Sequence, residues 1–290
     1  MKQRLPAAWA CLFVLALGGS MTAEEPYPPK GSYNNSVHRF FPDLDARLNA
    51  VRYGRWRALE TAWISGVNAE TDRVFANSLK ALLKDPPRFT PEANLVAPRV
   101  ARDAGPIFHA LRWGQVFEQQ ILDILAAPDA SAHTTEERLT RLYDLYRRER
   151  WALTAAQEER PPAEALLAAP ASAHLLQVGT RLFALAAEDL AAADFGQQRW
   201  RVRKTVDEFD RSFALESAPE DARYRTAAPT VFDRFPQIAE ALDSLARFRG
   251  ALFEALVPGG QTSQARHQRD EAVRNLARDW RLPAEGIGGR

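Results

Sequence analysis

Apolar residues recur at three- and four-residue spacings along almost the whole chain, the pattern of helices that bury one face. Leu44, Leu48, Val51, Ala58, Leu59 and Ala62 define such a face between Pro42, a favourable first helical residue, and Gly66, a stop. A second helix is expected from an Asn68 cap to the Pro86-Pro87 pair. A turn follows Thr90-Pro91, and Pro98 and Pro106 each open a helix, the latter running to about Ala127. Thr134 with Glu137 reads as a capping box for a helix through about Trp151. Further helices are expected from Pro161-Pro162, over Ala171–Ala193, over Gln197–Leu215, over Pro236–Val257 and over Ser263–Trp280. Only Trp200, Val202, Lys204 and Val206 offer a competing strand alternation, and there is no Asn-Gly or Asp-Gly hairpin.

The expected fold is therefore all-α, an irregular multi-helix bundle of about eight to ten helices. Residues 24–37, with Pro26, Pro28 and Pro29, read as a short extended leader. Residues 24–290 are expected to form one domain, with a possible sub-boundary in the Pro-rich stretch at 158–172.

On a helical wheel one charge falls within the apolar face of each of the four longest amphipathic segments: Arg55, Glu118, Asp189 and Arg249. A buried, unpaired charge costs several kcal/mol, so buried charges are normally paired. The four are expected to meet as a neutral cluster, most simply as Arg55 with Glu118 and Arg249 with Asp189. Such a cluster either fixes helix register or forms the polar floor of a ligand pocket, with an arginine free to take an anionic group. Val51-Arg52-Tyr53-Gly54-Arg55 is echoed by Leu111-Arg112-Trp113-Gly114-Gln115. A mid-helix glycine costs about 1 kcal/mol relative to alanine and often marks close helix approach. Arg52, Trp56, Arg112 and Trp113 are candidates for a partner interface, though aromatic residues at helical spacing more commonly fill cores.

The first residues change the picture of where this bundle works. Lys2 and Arg4, the apolar run Leu5–Leu17 and the small residues Gly18, Gly19, Ser20 and Ala23 form the three-part pattern of a secretory signal peptide, placed at 1–23. Export to a bacterial periplasm is expected, with no transmembrane span after cleavage. Cys11 is the single cysteine and lies inside that segment, so the remainder has no disulfide, thiolate site or Cys-x-x-Cys-His haem attachment. The formal charge is +1, and loss of Lys2 and Arg4 makes it −1, which gives no electrostatic reason to bind nucleic acid.

Catalytic and metal patterns are missing from the sequence. His38, His109, His133, His174 and His267 show no metal-type spacing, and there is no P-loop, dinucleotide fingerprint or Gly-x-Ser-x-Gly elbow. No metal site and no cofactor is identifiable. The expectation is an exported, soluble, non-catalytic binding or accessory protein that acts on a protein partner or a small ligand. The alternative is a helical-bundle enzyme or non-covalent cofactor or metal binder that uses the buried Arg/Glu/Asp cluster.

Overall fold

A computed structural model describes residues 30–90, 92–129, 131–153, 169–191, 194–214, 224–258, 260 and 262–288. The signal segment 1–23, the Pro161-Pro162 helix and most of the 158–172 stretch lie outside the described residues. The described residues form thirteen α-helices and no strand. In chain order these are α1 (Ser36–Phe40), α2 (Pro42–Ser65), α3 (Ala69–Lys84), α4 (Ala93–Val96), α5 (Pro98–Asp103), α6 (Gly105–Leu125), α7 (Ala132–Arg148), α8 (Pro170–Leu190), α9 (Phe195–Ala214), α10 (Tyr224–Ala227), α11 (Pro229–Phe232), α12 (Pro236–Ala255) and α13 (Ser263–Asp279).

The count exceeds the expected eight to ten because α1, α4, α10 and α11 are only four or five residues long, too short to show a periodic face. The leader also differs from expectation. Ser36 to Phe40 is helical, and Tyr33, Ser36 and Val37 are buried against the bundle. Helix α9 replaces the competing strand: Val202, Val206 and Phe209 turn inward at helical spacing, and Trp200 faces solvent. Helix α7 is capped by Ser131, which accepts from Thr134 N–H, so the cap stands three residues before the expected one.

Many of these helices begin at proline and have alanine or phenylalanine where a capping side chain would stand. Their exposed N–H groups need acceptors, because an unsatisfied buried donor costs about 1–3 kcal/mol. Carboxylates from other helices supply them. Asp72 on α3 accepts from Ala171 N–H (2.8 Å), Ser172 N–H (3.0 Å) and the Ser172 hydroxyl (2.7 Å) at the start of α8. Glu60 on α2 accepts from Arg99 and Val100 N–H at the start of α5. Asp123 on α6 accepts from Asn35 and Val37 N–H around α1, and Glu188 on α8 accepts from Thr230 N–H on α11. Each such carboxylate also meets the positive end of the helix dipole.

Helix α8 packs against both α2 and α6 at the centre, α2 reaches α6 through side chains such as Trp56 on Gln115 and Phe108, and α12 closes over α6 and α8. One apolar core runs from Tyr33 to Ile287 and includes helices on both sides of the 158–172 stretch. Close approach depends on glycine. A Cβ at Gly54 would lie 2.9 Å from Leu175 Cδ2 of α8, and one at Gly114 would lie 2.6 Å from Leu245 Cδ1 of α12. The two echoed segments thus serve the same purpose on α2 and α6.

Candidate functional site

Arg55, Glu118 and Arg249 meet in the middle of the bundle. Each is the fourteenth residue of its helix, counted from Pro42, Gly105 and Pro236 respectively, so all three stand in the second half of helices of 24, 21 and 20 residues. Glu118 is 2% exposed. Its two oxygens accept from both terminal nitrogens of Arg249, at 2.8 and 2.9 Å, and the Tyr224 hydroxyl donates to Oε1 at 3.1 Å. Arg55 Nη1 lies farther off, 3.6 Å from Glu118 Oε2. Burial by itself would raise the Glu118 carboxyl, but the Arg249 and Arg55 charges hold it down at about 2. The same carboxylate keeps Arg249 firmly protonated in spite of burial.

Asp189 does not join them. It lies ten residues beyond Gly179, the part of α8 that faces Arg55, which is about 15 Å along the axis at 1.5 Å per residue. There it is half-buried and accepts from the Thr205 hydroxyl at 2.6 Å. The expected Arg249–Asp189 pair is therefore corrected to Arg249–Glu118. A helical wheel gives a residue's angle and not its height, and Asp189, the twentieth residue of α8, points inward at the wrong level. The correction alters the charge balance. Two arginines share one carboxylate, and the expected neutral quartet becomes a trio with net charge +1.

The surplus falls on Arg55. Its side chain is 11% exposed, and its Nε and Nη2 are covered by protein yet meet no hydrogen-bond acceptor among the described residues. Gly179 makes room for it, since a Cβ there would stand 2.8 Å from Arg55 Nη2 and 2.5 Å from Val51 Cγ1. Burial first, then the like charge of Arg249, lowers the Arg55 pKa to about 10, with Glu118 opposing the shift. Arg52, one turn earlier, has its needs met: it donates to Asn49 Oδ1 at 3.0 Å and to Gln119 Oε1, and Asn49 donates in turn to Asp45.

A cavity reaches these arginines. Its walls are Arg52, Arg55, Trp56 and Leu59 of α2, Leu111 and Gln115 of α6, Leu176 of α8, and Arg249, Leu252 and Phe253 of α12. It holds about 430 Å³ of atom-free space including its open mouth, of which about 30 Å³ admits the centre of a water molecule. One water centre needs about 10–15 Å³, so the inner chamber suits two or three non-hydrogen atoms, or a few more, and not a large cofactor. Trp56 Nε1–H donates to Gln115 Oε1 at 2.8 Å and fixes that wall.

The interface candidates take interior places. Arg52, Trp56 and Trp113 are buried within the chain, and Arg112 is half-buried. Trp113 donates to the Tyr146 carbonyl at 3.1 Å and stacks on that ring, so the expected partner surface is not formed by these residues. His38 is exposed and bonds Asp45 at 2.9 Å, and the His109 ring lies tilted against Trp151 with 5.0 Å between centroids. Among the described residues no group of three His, Cys, Asp or Glu is placed to hold a metal ion, and no helix is long and apolar enough to cross a membrane. Tyr224 is the site residue that sequence reasoning misses; it sits on a four-residue helix whose pattern carries no signal. Comparison of the chain with protein-family models, curated proteins and solved structures gives no match.

Proposed function

We propose that this is an exported, non-catalytic helical binding protein that holds a small anion in the cleft between α2, α6, α8 and α12. The observation that carries the reading is Arg55, a buried guanidinium with two nitrogens that lack acceptors, at the wall of a cavity. The lowered pKa corresponds to a cost on the order of 3 kcal/mol for keeping this side chain charged inside the fold. An anion in the cavity offsets that cost by balancing the charge of the arginines that line it. Apolar walls around a few converging polar groups are the ordinary make-up of a small-ligand site. The export half of the proposal is supported by the basic, apolar and small-residue order of residues 1–23.

The test is a melting experiment on dialysed protein. Small sodium salts are titrated at constant ionic strength, maintained with a bulky sulfonate too large for the chamber. A ligand that binds only the folded state stabilises it by about 2.7 kcal/mol at one hundred times its dissociation constant. Wild type should gain stability with at least one small anion, and Arg55→Met should not respond. Equal responses of the two proteins to every anion reject the reading.

A further inference from the structure

We infer that the outward face of the first half of α9 docks on the surface of an anionic phospholipid bilayer, with the Trp200 indole entering the headgroup layer. The inference is independent of the cleft between α2, α6, α8 and α12.

Charge is polarised along α9. Residues 195–206 carry Arg199, Arg201, Arg203 and Lys204 and no acidic residue, whereas Asp207, Glu208 and Asp210 follow within one turn. Two of those acids are engaged by other helices. Arg47 of α2 donates to Asp210 through two bonds of 2.8 Å, and Arg181 of α8 donates to Glu208 at 3.2 Å. The four cations of the first half make no ion pair with a carboxylate among the described residues. Arg199 lies 6.0 Å from the Phe195 ring and Lys204 5.9 Å from the Trp200 ring.

The helix turns these cations outward around an indole. Val202, Val206 and Phe209 occupy the buried face. Arg203 and Lys204 stand about 60° and about 40° to either side of Trp200, and Arg199 and Arg201 about 100° to either side. All four are exposed. Trp200 is 67% exposed, while the other tryptophans among the described residues are each 4% exposed or less. A single exposed apolar side chain needs no explanation, but an indole ringed by cations has the make-up of an interfacial anchor. At a bilayer the ring lies among headgroups with its N–H hydrated, and the cations meet phosphate. An acidic protein would also meet the charge; a bilayer adds an apolar layer beneath it.

The neighbouring surface continues the patch. Between α9 and the start of α2 lies an open groove of about 560 Å³, with buried Phe41, Leu44, Val202 and Val206 below and exposed Arg199 and Arg203 above. Arg39 lies 5.1 Å from the Phe40 ring, which meets the exposed Phe195 ring edge-on at 5.8 Å. Asp43, Asp194 and Asp207 are the acids left in the patch against Arg39 and the four cations of α9, which leaves a surplus of positive charge.

The full chain is titrated with vesicles of phosphatidylcholine alone, and of phosphatidylcholine with phosphatidylglycerol, each containing brominated lipid that quenches indole fluorescence on contact. The apolar run Leu5–Leu17 would enter either vesicle, so the readout is the difference between wild type and Trp200→Phe, which isolates the exposed indole. The Trp200 signal should be quenched on anionic vesicles, retained on neutral ones and restored as salt rises. The triple variant Arg199→Gln, Arg203→Gln, Lys204→Gln should need at least about tenfold more anionic lipid for half quenching; unchanged circular dichroism confirms that it is folded. An unquenched Trp200 on anionic vesicles, equal quenching on neutral ones, or a triple variant that behaves like wild type overturns the assignment. So does soluble polyglutamate that displaces the chain at a lower charge concentration than the vesicles present, which makes an acidic protein the partner.

Discussion

Replacing Arg55 by methionine separates a structural charge cluster from a ligand site, because the two roles predict opposite signs. If Arg55 holds the bundle together through Glu118, its removal costs stability, as the loss of one partner of a buried ion pair usually does, by about 3–5 kcal/mol. The geometry favours the opposite sign. Glu118 retains both bonds from Arg249 and the one from Tyr224 when Arg55 is gone, and the contact that is lost is the 3.6 Å approach of Nη1. The substitution removes a buried cation whose pKa is lowered to about 10 from 12.5, a penalty on the order of 3 kcal/mol. Methionine takes the same path past Gly179 with an apolar, adaptable chain, at the loss of some packing. The net expectation is a gain of about 1–3 kcal/mol in the absence of small anions. That appears as a melting temperature several degrees higher, at roughly 2–4 °C per kcal/mol for a chain of this size. Differential scanning calorimetry of both proteins in a zwitterionic buffer without added salt measures it. A melting temperature of Arg55→Met clearly below wild type refutes the reasoning and returns Arg55 to a structural role.

Arg249→Met should do the reverse, since it strips Glu118 of its paired bonds, and a loss of about 3–5 kcal/mol is expected by urea denaturation. Glu118 also sets an acid limit. Its folded pKa of about 2 lies below the ordinary 4.5, so its stabilisation is complete above pH about 4.5 and is lost as pH falls through about 2. The unfolding free energy of wild type from urea titrations should therefore fall more steeply between pH 5 and pH 2.5 than that of Glu118→Gln, by about 2 kcal/mol; parallel profiles contradict this. Asp72→Ala leaves two buried donors and one half-buried donor at the start of α8 without their acceptor and should cost about 1.5–3 kcal/mol. Hydrogen exchange at Ala171 and Ser172 should rise first, and unchanged protection there speaks against the cap.

Much of the architecture is legible in local pattern, because helix propensity and amphipathic spacing act over a few residues. Pro42 to Ser65 and the Asn68 cap are found where the spacing places them. The ends of α8 and α12 fall within a few residues of expectation. All four charges, Arg55, Glu118, Asp189 and Arg249, can be picked out by angle alone, since a charged residue amid leucines is anomalous on a wheel, but only three of them meet. Their common level in the bundle is not readable, because it depends on the direction and stagger of the helices, and neither is which helices lie side by side.

The chain by itself determined that it would be helical, where its long helices run, and that charges would enter the core, because each of these depends on the chemistry of neighbours within one or two turns. Tertiary packing decided which charges met. It set Arg249 against Glu118, left Asp189 to Thr205 at another level, and brought Tyr224 in from a four-residue helix. It also supplied the caps that Ala97, Ala169 and Ala228 cannot provide, through Glu60, Asp72 and Glu188 from distant helices. The surplus cation at Arg55 exists only at this level. Net charge in a site is a sum over side chains from separate helices, and their relative rotation and translation are set by packing across the whole core.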